Sequence, residues 1–226
     1  VKTHYREKIF KLIEQEGLGN SRFMILEGLT KLRELANHPR MIEQGYRGDS
    51  GKLEDITHML QNAMGEGHKI LVFSQFVKHL DLVKQYLKAN KVDFAYLDGS
   101  SIDRKEQVER FNRDQNLKIF LISIKAGGLG LNLTEADYVF ILDPWWNPAV
   151  EAQAIDRAHR IGQKKKVFTY KFITRNTVEE KILMLQQKNC VPPGVAVLDP
   201  LERLQLRVSV ARSVKHQHID VGLGKQ

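Results

Sequence analysis

Between residues 51 and about 175, short apolar runs alternate with amphipathic stretches. The runs cover 69–73, 94–97, 118–123, 138–142 and 167–173. They are four to seven residues long and rich in Val, Ile, Phe and Tyr, the lengths and residue types of buried strands. Between them the apolar positions move to helical spacing. Val77, Leu80, Val83 and Leu87 make one stripe. Val108 and Phe111 make another, after the start signal Ser100-Ser101-Ile102-Asp103. Strand and helix in this rhythm predict an α/β fold, a parallel sheet with helices on both faces.

The flanks read differently. Residues 1–50 predict a helical segment leading into the alternating unit. Leu26, Leu29, Leu32 and Leu35 or Ala36 recur at helical spacing, and Asn37-His38-Pro39 ends the pattern because proline disfavours helix for the residue before it. The unit itself runs over 51–189. It closes with a helix over 177–188, where Thr177-Val178-Glu179-Glu180 fits a capping box and Ile182 and Leu185 give an inner face. Residues 190–226 form a tail with no assigned role. It opens on Pro192-Pro193-Gly194, shows no strong period, and is expected to be dispensable for folding.

Composition narrows the classes. A chain of 226 residues supports one substantial core plus smaller attachments. Lys and Arg number 35 against 27 Asp and Glu, a formal charge of +8, which favours a polyanionic partner without requiring one. Cys190 is the single cysteine, so neither an internal disulfide nor a cysteine-based zinc site is expected, and an intracellular setting follows. No apolar run approaches the roughly 20 residues that span a bilayer. The sequence starts at Val1 with no secretory signal, and is expected to be part of a longer protein. His216 and His218 have no carboxylate or cysteine neighbours and make a poor metal site.

In open α/β sheets, ligands bind beyond the carboxyl ends of the strands, so the residues after each apolar run carry the chemistry. After the run at 138–142 comes Asp143-Pro-Trp-Trp-Asn-Pro148. Asn147 followed by Pro148 is a helix start: an N-cap, then a proline where no amide donor is needed. On the helix that follows, Val150, Ala154, Ala158 and Ile161 form an apolar stripe. Gln153, Arg157 and Arg160, at i, i+4 and i+7, share another face. Two planar, permanently charged guanidinium groups with a glutamine suit phosphate oxygens; a solvated basic face has the same spacing. After the run at 118–123, Gly127, Gly128 and Gly130 suit either close backbone approach to phosphate or a tight turn. A dinucleotide fingerprint fails there, because Leu133 stands where the third glycine is needed. Trp145 reads as core. Lys164-Lys165-Lys166 reads as a solvated turn or a basic contact.

The stretch Asp156-Arg-Ala-His-Arg-Ile-Gly-Gln163 resembles the last helicase motif of the Swi/Snf family in helicase superfamily two. Other segments match in order: Asn37-His38-Pro39, Ser50-Gly-Lys-Leu53, Phe73-Ser-Gln-Phe76, Leu97-Asp-Gly-Ser-Ser-Ile102 with Arg104 and Phe111-Asn112, Ser123-Ile-Lys-Ala-Gly-Gly-Leu-Gly-Leu-Asn-Leu133, and the Trp-Asn-Pro element. The resemblance covers roughly residues 22–189 and implies a RecA-like lobe, the second of two. In such motors ATP with Mg²⁺ lies between the lobes, and the first lobe holds the phosphates and the metal. The second supplies arginine fingers, here Arg160 and Arg157, with Gln153 and Gly130 lining the cleft. His159 has no acid–base task in that chemistry. Ser123, Lys125 and Trp146 are implied contacts to double-stranded DNA, with Ser74 and Gln75 as further candidates.

No G-x-x-x-x-G-K-[ST] loop or Asp-Glu-x-His box occurs in the 226 residues. Before Gly51-Lys52, Tyr46 stands where the first glycine belongs, and Leu53 stands where Ser or Thr belongs. These 226 residues alone are therefore expected to be inactive as an ATPase. The expected partners are double-stranded DNA, the N-terminal RecA-like lobe of the same protein and other DNA-bound proteins. The expected setting is the bacterial or archaeal cytoplasm, or the nucleus in a eukaryote. Two rivals stay open: a nucleic-acid-binding module with no ATPase role, and the lobe of an RNA helicase.

Overall fold

The computed structural model describes residues 22–126, 131–156, 158, 166–189 and 214–219. Helix α1 (Arg22–Asn37) comes first, then a 3₁₀ turn at Pro39–Met41 and helix α2 (Gly51–Gly65). Then follow β1 (Ile70–Ser74), α3 (Val77–Ala89), β2 (Phe94–Leu97), α4 (Arg104–Arg113), β3 (Ile119–Ser123) and β4 (Tyr138–Ile141). The chain continues through α5 (Pro148–Ile155), β5 (Phe168–Thr174), α6 (Val178–Asn189) and β6 (Val214–Ile219). The sheet order is β2-β3-β1-β4-β5-β6. β1 to β5 are parallel, and β6 pairs antiparallel with β5.

Every residue of β1 and β3 is buried, as expected of central strands covered on both faces. Alternate residues feed two cores. Leu71, Phe73, Phe120, Ile122, Val139 and Ile141 pack on one side with Phe111 of α4. Ile70, Val72, Ile119, Leu121 and Phe140 pack on the other with Ile56 and Leu60 of α2 and Leu80, Val83 and Leu87 of α3. The period-2 alternation of a strand and the period-3.6 stripe of a helix thus meet in both cores.

Two expected inner faces are rotated. On α1, Leu26 is 61% exposed, while Arg33, Glu34 and Asn37 are buried beside Ala36. On α6, Ile182 is buried as expected, but Leu185 is 50% exposed and Gln186 is buried. At these turns the inward positions meet backbone carbonyls: Arg33 of α1 donates to the Pro144 carbonyl and Gln186 of α6 to the Trp145 carbonyl. The tail, which shows no period of its own, contributes β6. Its register runs from Thr169 opposite Ile219 to Thr174 opposite Val214. Pairing through backbone hydrogen bonds does not require an apolar alternation.

Candidate functional site

The carboxyl ends of β1, β3 and β4 are knitted together. Ile124 N–H donates to the Ser74 carbonyl at 2.9 Å, and Leu142 N–H donates to the Phe73 carbonyl at 2.9 Å. Asp143, fully buried just beyond β4, accepts from the Ser74 hydroxyl and from Gln75 N–H at 3.1 Å. The loop over 143–147 is thereby tied to the turn between β1 and α3.

Further contacts fix this loop from beneath. Arg33 Nη2 donates to the Pro144 carbonyl at 2.7 Å and Gln75 Nε2 donates to the same oxygen at 3.3 Å. Glu151 of α5 accepts from Trp145 N–H at 2.6 Å and from Gln186 Nε2 at 2.9 Å, and it pairs with Lys171 of β5. Gln186 also donates to the Trp145 carbonyl. The Asn147 side chain accepts from Ala149 N–H at 3.0 Å with Pro148 at the first helical position, the start read from sequence.

Below this layer, Lys52 Nζ lies 2.7 Å from Glu179 Oε1 and 2.7 Å from Asn37 Oδ1, with both side chains of the ion pair buried. Glu179 also accepts from Thr174 N–H at 2.9 Å, so the carboxylate joins α2, α6 and β5, and through Lys52 the pair reaches Asn37 at the end of α1. Beside it, burial holds the His79 imidazole below its ordinary pKa, and Lys52 adds to that push. Burial opposes charge on Asp143 too, yet hydrogen bonding and nearby Lys52 outweigh it, and its carboxyl stays below the usual range.

The turn over 98–101 is closed on itself. Asp98 Oδ1 accepts from Ser100 N–H, from the Ser100 hydroxyl and from the Ser101 hydroxyl, and Tyr96 donates to Oδ2. The Ser100 hydroxyl above all draws the Asp98 pKa down to about 2. Arg104 clamps the same turn through the carbonyls of Ser101 and Gly99. Asn112 Nδ2 of α4 donates to the Asn132 carbonyl at 3.1 Å, joining α4 to the segment before β4.

The site residues named from sequence fall into three groups. Trp146 (45% exposed), Lys125 and Gln153 face solvent, and Gln75 is half-buried. Ser74 and Ser123 are buried, and the Ser74 hydroxyl is engaged with Asp143 and with Phe76 N–H, so its place is beneath the loop. Gly130, Arg157 and Arg160 lie outside the described residues. Helix α5 ends at Ile155, where Asp156 N–H closes on the Ala152 carbonyl. Of the expected stripe, Val150 and Ala154 on the helix and Ala158 beyond its end pack on the sheet core together with Trp145, the tryptophan read as core, while Ile161 lies outside the described residues. Among the described residues no three His, Cys, Asp or Glu side chains converge as a metal site. Sequence reasoning missed Arg33, His79, Glu151, Lys171 and Gln186, because a buried polar residue looks like a surface residue in a pattern of apolar positions.

The fold and the match of residues 51–162 to the family described as the helicase conserved C-terminal domain define a RecA-like helicase lobe. The DNA repair protein rad8 of Schizosaccharomyces pombe is 45% identical over 158 residues, 69% of this chain and 14% of that protein. An uncharacterized ATP-dependent helicase of Mycoplasma pneumoniae is 42% identical over 168 residues, 74% of this chain and 16% of that protein. The SWI2/SNF2 ATPase core of Sulfolobus solfataricus in complex with double-stranded DNA superposes with a TM-score of 0.71 at 31% identity. That match covers 82% of this chain and 40% of the archaeal one. The chain belongs to the Swi2/Snf2 family and forms its C-terminal lobe. It spans only about one seventh of the curated relatives' length. These relatives come from a yeast, a bacterium and an archaeon, so the expected bacterial or archaeal setting is not singled out. Among the described residues no helix is long and apolar enough to cross a membrane.

Proposed function

We propose that this lobe is the C-terminal half of an ATP-dependent motor that moves along double-stranded DNA inside the cell, in the company of other DNA-bound proteins. The observation that carries the reading is the loop over 143–147. It is fixed from beneath by buried hydrogen bonds, yet it presents Trp146 to solvent at the carboxyl edge of the sheet, with Lys125 and Gln153 also exposed. A rigid, partly aromatic edge on a basic chain suits a phosphate backbone and the groove beside it. The family resemblance and the archaeal relative solved on double-stranded DNA support the same partner.

In this reading Lys125, Gln75 and Trp146 touch DNA, while Ser74 and Ser123 shape the ground they stand on. Gln153 and Gly130 line the nucleotide cleft, and Arg157 and Arg160 reach the γ-phosphate. ATP with Mg²⁺ supplies the phosphoryl transfer, the metal being held by the N-terminal RecA-like lobe. The arginines offset negative charge that builds during that transfer. The 226 residues alone turn over no ATP, because they contain no phosphate-gripping loop.

The test is kinetic, in the full-length protein. Arg160→Ala and Arg157→Ala each lower DNA-stimulated ATP turnover by about 10³–10⁵, the value of arginine fingers elsewhere, with duplex binding nearly kept. Lysine restores little, since it keeps the charge and loses the planar fork. Near-normal turnover in both alanine variants sinks the finger assignment and leaves a solvated basic face. Stronger stimulation by RNA than by duplex DNA sinks the partner assignment.

A further inference from the structure

Arg33 is a costly residue in its place. It is only 5% exposed. Among the described residues it has no carboxylate at ion-pair distance, and its Nε lies buried without an acceptor. Burial lowers its pKa, with the charges of Asp143 and Glu179 acting the other way. A methionine or leucine fills such a space without the cost of desolvating a cation. What the guanidinium adds is directional. Its Nη2 donates to the Pro144 carbonyl at 2.7 Å. Its central carbon stands 5.2 Å from the Phe76 ring centre and 5.5 Å from the Trp146 ring centre, within cation–π reach of both. A planar fork makes the hydrogen bond and the ring contacts together; an ammonium does not.

We propose that Arg33 is a positioning residue for Trp146: from the helix that precedes the lobe, it holds the Pro144 carbonyl and the indole in one arrangement. Trp146 keeps 45% of its surface open, so one part of the ring is held and the other is presented. Gln75 donates to the same Pro144 carbonyl at 3.3 Å, so the turn after β1 and helix α1 converge on one oxygen. Arg33 lies before the matched segment of 51–162, which extends the site into the helical part of the chain. The consequence for DNA rests on the proposed role of Trp146; the positioning itself does not.

The chain has two tryptophans, so Trp145→Phe leaves Trp146 as the sole tryptophan, read with excitation that tyrosine does not absorb. In that background Arg33→Met is expected to shift Trp146 emission to the red and about double its quenching by acrylamide. Arg33→Lys, which keeps the charge and most of the length, falls between, and it is read in the same way if the methionine variant folds poorly. In the otherwise unaltered 226-residue chain at low salt, Arg33→Met weakens duplex DNA binding about three- to thirty-fold, the scale of one lost cation–π contact. In a Trp146→Ala background the same change has no further effect, because Arg33 acts through the ring. Unchanged emission and quenching in a variant with reduced thermal stability overturns the proposal and leaves Arg33 a packing residue. Undiminished loss of binding in the Trp146→Ala background overturns it as well. Loosened Trp146 in Arg33→Met, with normal binding in Trp146→Ala, upholds the positioning and removes Trp146 from the DNA contacts.

Discussion

The centre of the sheet and the layer beneath the loop over 143–147 are equally buried and oppositely built. Around β1 and β3 the side chains are apolar: Val72, Phe73, Phe120 and Leu121 are fully enclosed. Beneath the loop they are polar: Arg33, Lys52, His79, Asp143, Glu151, Glu179 and Gln186 are each at most 6% exposed. Apolar burial stabilises in proportion to area and is indifferent to direction. Hydrogen bonds and buried charges contribute less net stability and fix where a backbone atom stands. The first region makes the lobe fold; the second fixes where Pro144 and Trp145 stand through hydrogen bonds to their backbone.

The largest effects test this contrast directly. Phe120→Ala is expected to cost about 3–5 kcal/mol through a cavity that cannot collapse between packed strands. Lys52→Met is expected to cost about the same, for another reason: the Glu179 carboxylate is left buried without its cation. The two separate on a second substitution. Replacing Glu179 by Met in the Lys52→Met chain recovers a large part of the loss, whereas no second deletion in the sheet centre refills the Phe120 cavity. Denaturant unfolding of single and double variants decides it. A double variant as unstable as Lys52→Met alone shows that the polar layer behaves like the apolar core.

A smaller effect is pH-dependent. Burial lowers the pKa of His79 and likewise that of His38. In the unfolded chain each takes a proton near about pH 6.5. A folded-state pKa below the unfolded value means stability is present above about pH 6.5 and is lost as pH falls below it, by up to about 1.4 kcal/mol per pH unit for each group. His79→Leu flattens the stability profile between pH 7 and 5, read from denaturation midpoints at each pH. A profile as steep as that of the unaltered chain removes His79 from the polar layer's contribution.

The smallest effect belongs to the tail. Truncation after Asn189 removes β6 and uncovers the outer edge of β5. The thermal midpoint is expected to move less than in either core variant, and self-association through the open edge is expected to rise, as followed by light scattering. A fall as large as that of Phe120→Ala shows that the tail is part of the core.

The sequence by itself determined the strands to within a residue or so, the helix starts at Asn147 and Thr177, and the stop after Asn37. These depend on local chemistry: β-branched and aromatic runs, caps, and proline. Trp146 and Lys125 follow the carboxyl ends of strands and Gln153 lies on α5, and all three are exposed, while Ser74 and Ser123, named from the same strand ends, are buried. Only the tertiary structure decided which residues hold them. Leu185 next to Gln186, and Leu32 next to Arg33, give an apolar face on paper one position away from the buried polar one. Which of the two turns inward depends on what waits there. For both helices it is a backbone carbonyl of the loop over 143–147, brought from more than 40 residues away for Gln186 and more than 100 for Arg33. Sequence periodicity reports the affinity of a face for an apolar surface. It carries no record of an acceptor supplied by a distant segment, and so the polar layer that fixes Trp146 becomes visible only once the chain has folded.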